Sequence, residues 1–555
     1  MRLNNFRREL DAYTVRNQLG DVLWPFCDML SCENLDELID ELKARGLYVF
    51  DIWGFVPGSW SPSEPWGEYE IRPDVAKLLI QGLGDHFLGF DNGEQDGRYV
   101  NRYADMACPA VLDRKAQYLN FLHHFEKISD SMQHHITALV SLHYGHYLLK
   151  ENDVIILGSE CAQALPNVNL WFAFNRGAGK QYGALWFGNA SVWNRWGYKN
   201  YSKSGGEEYE MGPQYGASAS LLRRIIYLHY AYNCDILGYD CGWLYDGAAD
   251  AADHTGHADA AGIDCPNADA GAKANANSDS NCNPNADANP GSSPNAAGLR
   301  VERSGGGLTP VGVLQSDALA FVREHGYPGA MHTPVAVALG FFAGYTPPRH
   351  LYSTSVYKAW GNQPYDEGDY QTHALFNLLY PGYEDAGFFR DERGFMAATP
   401  FGDMFDVLLS DAEAPVLKSY NRIVLSGGYG LGPEEFDKIR DFAEGGGTVH
   451  VFLGAVAGSV HRHGRDTKSF LDFFGLRRLG ERRAYAEGSL LDYGGKTRRE
   501  KAFALYDIEL DERARAVAFA ADGRPAIYEA ACGQGKVCVV AAPFGLHSVP
   551  AYDRS

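Results

Sequence analysis

Asp153–Glu160 reads DVIILGSE, a short apolar run that stops on Gly-Ser-Glu. Cys234–Trp243 (CDILGYDCGW) and His86–Gly97 (HFLGFDNGEQDG) follow the same grammar. Each is preceded by a helix-like stretch and ends on carboxylates. In a parallel α/β barrel all strands end on one face, so acids distant in sequence meet around one mouth. Outward from these three segments, strands are expected at Asp21–Phe26, Leu47–Val56, His86–Asp91, Ile136–Leu142, Asp153–Ser159, Ala184–Gly188 and Asp235–Asp240. Helix-like stretches at Asn34–Arg45, Pro73–Gly82, Leu112–Met132, Asn167–Tyr182 and Tyr215–Tyr232 alternate with them. Such alternation predicts parallel strands joined by right-handed crossovers. The fold class is therefore α/β, a (β/α)8 TIM-type barrel over residues 1–330. With Asp235–Asp240 as the eighth strand, His86–Asp91 is the fourth and Asp153–Ser159 the sixth.

Residues 246–307 are of another composition: Asn, Asp, Ala, Gly, Ser and Pro, with almost no large apolar side chain. They cannot bury enough surface to offset their ordering entropy, which predicts a disordered insertion before a helix at Pro310–His325. A second pattern begins after residue 330. The passage YNRIVLSGGYGLGPEEFDKIRDFAEGGGTVHVFLG (Tyr420–Gly454) is a βαβ unit, with strands at Arg422–Ser426 and Thr448–Leu453 around a helix at Pro433–Glu444. It predicts a flavodoxin-like α/β domain over 331–466, and the alternating charged segments of 467–555 predict a β-rich C-terminal region.

The net charge of −21 argues against nucleic-acid or anionic-membrane partners, which need basic patches. No apolar run approaches the roughly 20 residues that span a bilayer. The first residues, MRLNNFRREL, lack the apolar core of a signal peptide, and the ten cysteines form no CxxC pair. A cytoplasmic location is the expectation. The histidines of His123–His146 lack HExxH spacing, no GxxxxGK[ST] loop is present, and GxSxG is absent. DNGEQDG lacks the alternate acids of a calcium loop. Neither metal nor cofactor is expected.

Glu94 and Glu160 are the candidate catalytic pair. Glycoside hydrolysis needs one carboxyl group as proton donor and another as nucleophile or base, with pKa values pushed apart by their surroundings. Asn92 and Gln95 have amides suited to sugar hydroxyls, Asp91 is a neighbouring charge, and Asp240 is a third strand-end acid. Trp53, Trp193 and Trp243 follow strands and have flat faces that stack on sugar rings. Each feature has a plainer reading: DNGEQDG also suits a turn, Glu160 an ion pair to Arg176 on the next helix, and Asp240 a strand-end cap. The expected partner is a carbohydrate substrate. A non-catalytic carbohydrate-binding barrel and a polysaccharide lyase are the alternatives.

The strand-end acids together with the βαβ passage resemble the family 42 β-galactosidases, in which a catalytic barrel precedes a glutamine amidotransferase-like domain. The resemblance implies an acid/base Glu after the fourth strand, directly behind an Asn, and a nucleophile Glu after the seventh. Here Gly93 separates Glu94 from Asn92, Glu160 follows the sixth strand, and FGNASVWNRW after the seventh holds no acid. An amidotransferase nucleophile would be a Cys on a tight turn after a strand. SGGYG (Ser426–Gly430) and GAVAG (Gly454–Gly458) contain none. The second domain is thus expected to pack on the barrel rim or join subunits into a homo-oligomer.

Overall fold

The computed structural model describes residues 3–25, 32–51, 71–91, 113–138, 142–151, 154–160, 168–191, 219–240, 244, 307–308, 310–344, 366–380, 401, 403–459, 467–500 and 502–541. All but the last residue of the 246–307 insertion lies outside them.

All seven expected barrel strands form, as β1 (Val22–Leu23), β2 (Tyr48–Asp51), β3 (Phe87–Asp91), β4 (Ile136–Ala138), β5 (Ile156–Glu160), β6 (Leu185–Ser191) and β7 (Ile236–Asp240). They pair in chain order, every neighbour parallel. The helices around them are α1 (Leu3–Leu10), α2 (Leu35–Ala44), α3 (Pro73–Leu83), α4 (Arg114–Ser131), α5 (Leu142–Lys150), α6 (Val168–Tyr182), α7 (Ala219–Ala231) and α8 (Pro310–His325). In α2 the buried Leu35, Leu38, Ile39 and Leu42 form one stripe at helical spacing. The barrel is a TIM-type barrel that is not fully closed among the described residues, where β1 and β7 are not paired. Helix α8 spans that gap. It packs on α7, and its Gln315 amide donates to the Tyr13 hydroxyl and the Leu19 carbonyl. Among the described residues eight helices ring seven strands. Seven barrel strands are therefore described where eight were expected, and within that sheet His86–Asp91, Asp153–Ser159 and Asp235–Asp240 supply the third, fifth and seventh strands.

Two local expectations are corrected. The strand at Ile136–Leu142 ends at Ala138, and Leu142 already opens α5. That segment, LHYGHYLLK, is rich in histidine, yet Tyr144, Tyr147 and Leu148 are buried in the core. The strand at Ala184–Gly188 runs three residues further, to Ser191.

The second sheet has nine strands. β8 (Val335–Leu339), β9 (Phe405–Leu409), β10 (Arg422–Ser426), β11 (Thr448–Phe452) and β18 (Gly535–Val540) are parallel in the order β9-β8-β10-β11-β18. That is the 2-1-3-4-5 winding of flavodoxin-like folds. Helices α9 (Glu367–Leu379) and α10 (Pro433–Glu444) belong to this part. The strands beyond residue 467 extend the same sheet. β17 (Pro525–Cys532), β16 (Ala514–Ala520), β13 (Leu490–Tyr493) and β14 (Lys496–Arg499) continue it antiparallel, and β12 (Leu476–Tyr485) pairs with β15 (Phe503–Leu510) in a separate ribbon.

The two sheets are joined by a continuous interface. One apolar core takes in barrel residues such as Phe172 and Phe174 together with Val337, Leu339, Phe376, Phe405, Val407 and Leu409. A Cβ on Gly177 of α6 would lie 1.9 Å from the Val407 carbonyl oxygen, so helix and strand backbones are in direct contact there. His146 Nε2 donates to that carbonyl at 3.0 Å.

Candidate active site at the barrel mouth

Inside the barrel, Phe50 of β2 and Phe187 of β6 meet from opposite walls at 5.3 Å between ring centroids. Trp24, just after β1, packs on both. These three rings form the floor of the mouth. On β6, Trp186 and Gly188 face the helices: Trp186 packs on Phe172 of α6, and a Cβ on Gly188 would strike the His229 ring of α7 at 2.5 Å. Side chains alternate along a strand, so Phe187 and Asn189 face the interior. Asn189 stands one layer above the floor, towards the strand ends.

Asp91, the last residue of β3, is fully buried. The strand reaches it through a bulge: Val49 pairs with Phe87, but Phe50 pairs with Gly89. Gly89 takes φ +119°, and the Thr137 hydroxyl of β4 donates to the Leu88 carbonyl at 2.9 Å. A Cβ on Gly89 would meet Thr137 Oγ1 at 2.8 Å and the His135 carbonyl at 2.9 Å. Such bulges re-aim the residues that follow them. Here the residue re-aimed is Asp91.

Glu160 is the last residue of β5 and its backbone lies in register beside Asn189. Asp240 is the last residue of β7, in register with Ser191. The backbone of these strands therefore brings Asp91, Glu160 and Asp240 to the same end of the barrel. Asn92, Glu94, Gln95, Trp53, Trp193 and Trp243 lie outside the described residues. Arg176, the alternative partner for Glu160, is committed elsewhere: its Nε donates to Asp406 and its Nη2 to the Phe405 carbonyl in the second domain.

Residues not singled out from sequence also line this interior. Thr137, Asn189 and the Trp24 indole are polar ones among the described side chains. Asn189 had a visible signal, an amide at a period-two position from Phe187, hidden by reading the strand as ending at Gly188. Among the described residues no group of three or more His, Cys, Asp or Glu side chains is placed to hold a metal ion. None of the helices described there is long and apolar enough to cross a membrane. The described cysteines Cys32, Cys234, Cys532 and Cys538 are buried free thiols.

The architecture is similar to that of solved GH42 β-galactosidases. Gan42B, a GH42 β-galactosidase from G. stearothermophilus, superposes with a TM-score of 0.52 at 10% identity, covering 97% of this chain and 83% of its own. A β-galactosidase from Bacillus circulans sp. alkalophilus gives 0.51 at 12% identity, over 100% of this chain and 88% of that one. The exo-β-1,4-mannosidase Op5Man5 from Opitutaceae bacterium strain TAV5 gives 0.50 at 13%, over 100% and 90%. No protein-family model matches the sequence, and no curated protein matches it significantly. The likeness is one of fold: a TIM-type barrel followed by a second sheet domain.

Proposed function

We propose that the chain is a glycoside hydrolase working at the C-terminal mouth of its barrel, with Glu94 and Glu160 as the carboxylate pair. The observation that carries this reading is the convergence of Asp91, Glu160 and Asp240 at one rim over an aromatic floor. In barrels of this kind the strand-end rim is where chemistry is built. Glu94 follows Asp91 by three residues in the sequence. Asn92, Gln95 and Asp240 would grip hydroxyls, and Trp53, Trp193 and Trp243 would stack on the rings. The substrate is an oligosaccharide or polysaccharide fragment, with β-galactosides and β-mannosides first to be tried because the superposed structures carry those names.

A second reading is favoured by one specific feature. The strand between those that carry Glu160 and Asp240, β6, ends in Asn189-Ala190-Ser191, with no carboxylate. A barrel that holds a sugar without cleaving it would look like this.

Hydrolysis of nitrophenyl β-galactoside, nitrophenyl β-mannoside and a polysaccharide panel by wild type, Glu94→Gln and Glu160→Gln separates the two. The pair is supported if each variant loses at least about a hundredfold in kcat/KM while its circular dichroism is unchanged. Activity surviving both changes sinks the assignment of the pair. A folded wild type that binds sugar but turns over nothing selects the binding protein.

A further inference from the structure

Asn189 is 1% exposed, and neither its Oδ1 nor its Nδ2 has a hydrogen-bond partner among the described residues. A buried amide left so costs about 1–3 kcal/mol. Folding alone would favour Val or Leu on a central strand, so the amide needs another explanation. Its surroundings supply one. Beside it in register on β7 is Gly238, where a Cβ would meet no described atom within 4 Å. Among the described residues nothing fills the interior face next to the amide. Below is the ring floor of Phe187, Phe50 and Trp24. The buried Trp24 Nε1, a donor only, likewise has no partner among the described residues.

We infer that Asn189 is a ligand-binding residue of the barrel mouth, its carboxamide bridging two adjacent hydroxyls of a sugar ring. The inference rests on the carbohydrate reading above and adds a residue to it. A carboxamide has one acceptor oxygen and a two-proton donor side by side. A pair of neighbouring hydroxyls offers the complementary donor and acceptor at matching spacing, and the flat apolar face of the ring suits the aromatic floor. The amide carries no charge at any ordinary pH, so its grip is independent of the protonation state of the nearby acids. Asn189 takes no part in bond cleavage; it orients the sugar beneath the rim that carries Asp91, Glu160 and Asp240.

The test uses the full chain as wild type, Asn189→Leu and Asn189→Asp. Each is titrated with D-galactose and D-mannose by calorimetry and unfolded in urea. Asn189→Leu is expected to be as stable as wild type or more so, since it removes an unsatisfied buried amide, and to bind the better sugar at least about tenfold more weakly. Asn189→Asp keeps the acceptor but loses the donor, and is expected to weaken binding similarly at neutral pH. Should Asn189→Leu fail to fold, Asn189→Asp decides. Wild-type affinity retained in the variants overturns the inference and leaves the carbohydrate reading standing. A wild type that binds neither sugar and cleaves no glycoside of the panel removes that reading, and the inference with it.

Discussion

Arg176 and Asp406 are the most demanding pair in the described structure. Both are almost wholly buried, and Arg176 Nε meets Asp406 Oδ1 at 2.5 Å. Lys180 and the Thr333 and Tyr420 hydroxyls converge on the other carboxylate oxygen. Burial drives the Asp406 carboxyl upward, but Arg176 and Lys180 outweigh it and hold the group below the usual carboxylate range. Removing one member strands a buried charge. Asp406→Asn is expected to cost about 3–5 kcal/mol in urea unfolding, whereas the double change Arg176→Met/Asp406→Leu should recover most of that. A single-variant cost below 1 kcal/mol would mean the pair is far wetter than described. His229 gives a pH signature at the same scale. Burial lowers its pKa to about 3, so it folds neutral while the unfolded chain takes up a proton near pH 6.5. The stability it protects is complete above about pH 6.5 and drains as pH falls towards 3, by about 1.4 kcal/mol per pH unit. Between pH 7 and pH 5, wild type should therefore lose about 2 kcal/mol more than His229→Leu. Equal losses in the two proteins would place a water or a charge against the ring.

Among the elements, the ones that carry the mouth were readable in the sequence because buried parallel strands are nearly continuous apolar runs, and these runs stop on acids. DVIILGSE and DILGYD therefore revealed both strand and exit. Helix α5 was hidden because His146 is buried along with Tyr144, Tyr147, Leu148 and Leu149, so no polar face marks its period. Helix α9 was hidden in an aromatic, Pro-rich stretch, although Asp366 and Asp369 form a reciprocal cap at its start. The bulge in β3 was also invisible, since a lone glycine in FLGFD carries no sign of its φ. It yields a prediction. Gly89→Ala must hold a positive φ and push on both Thr137 and the His135 carbonyl, so it should destabilise by about 2–3 kcal/mol. On the proposed function it should also lower kcat/KM, because Asp91 and the residues behind it are displaced. An Ala variant of wild-type stability and rate would show that the bulge does not aim the site.

For the molecule as a whole, the barrel and the second sheet depend on one another. The edge strand β9 is buried from end to end, and the barrel helices α5 and α6 are what cover it. Further polar ties cross the same seam. Arg114 pairs with Asp366 and Asp369, Lys150 with Asp411 at 2.7 Å, and Asn169 with Asp403. None of these was legible in the sequence, because partners 234 to 261 residues apart share no local pattern. A seam that is apolar at its centre and charged at its rim couples the unfolding of its two sides. Calorimetry of the full chain should therefore show a single transition across barrel and second sheet, with a van't Hoff enthalpy close to the calorimetric one. Gly177→Ala would force apart the α6 and β9 backbones, at a cost of about 3 kcal/mol, and should lower that one transition as a unit. Two separated transitions in the wild type, or a Gly177→Ala shift confined to one of them, would mean that the sheets fold independently. The second domain would then be a passenger, whereas the buried edge of β9 makes it a structural wall of the barrel that carries the site.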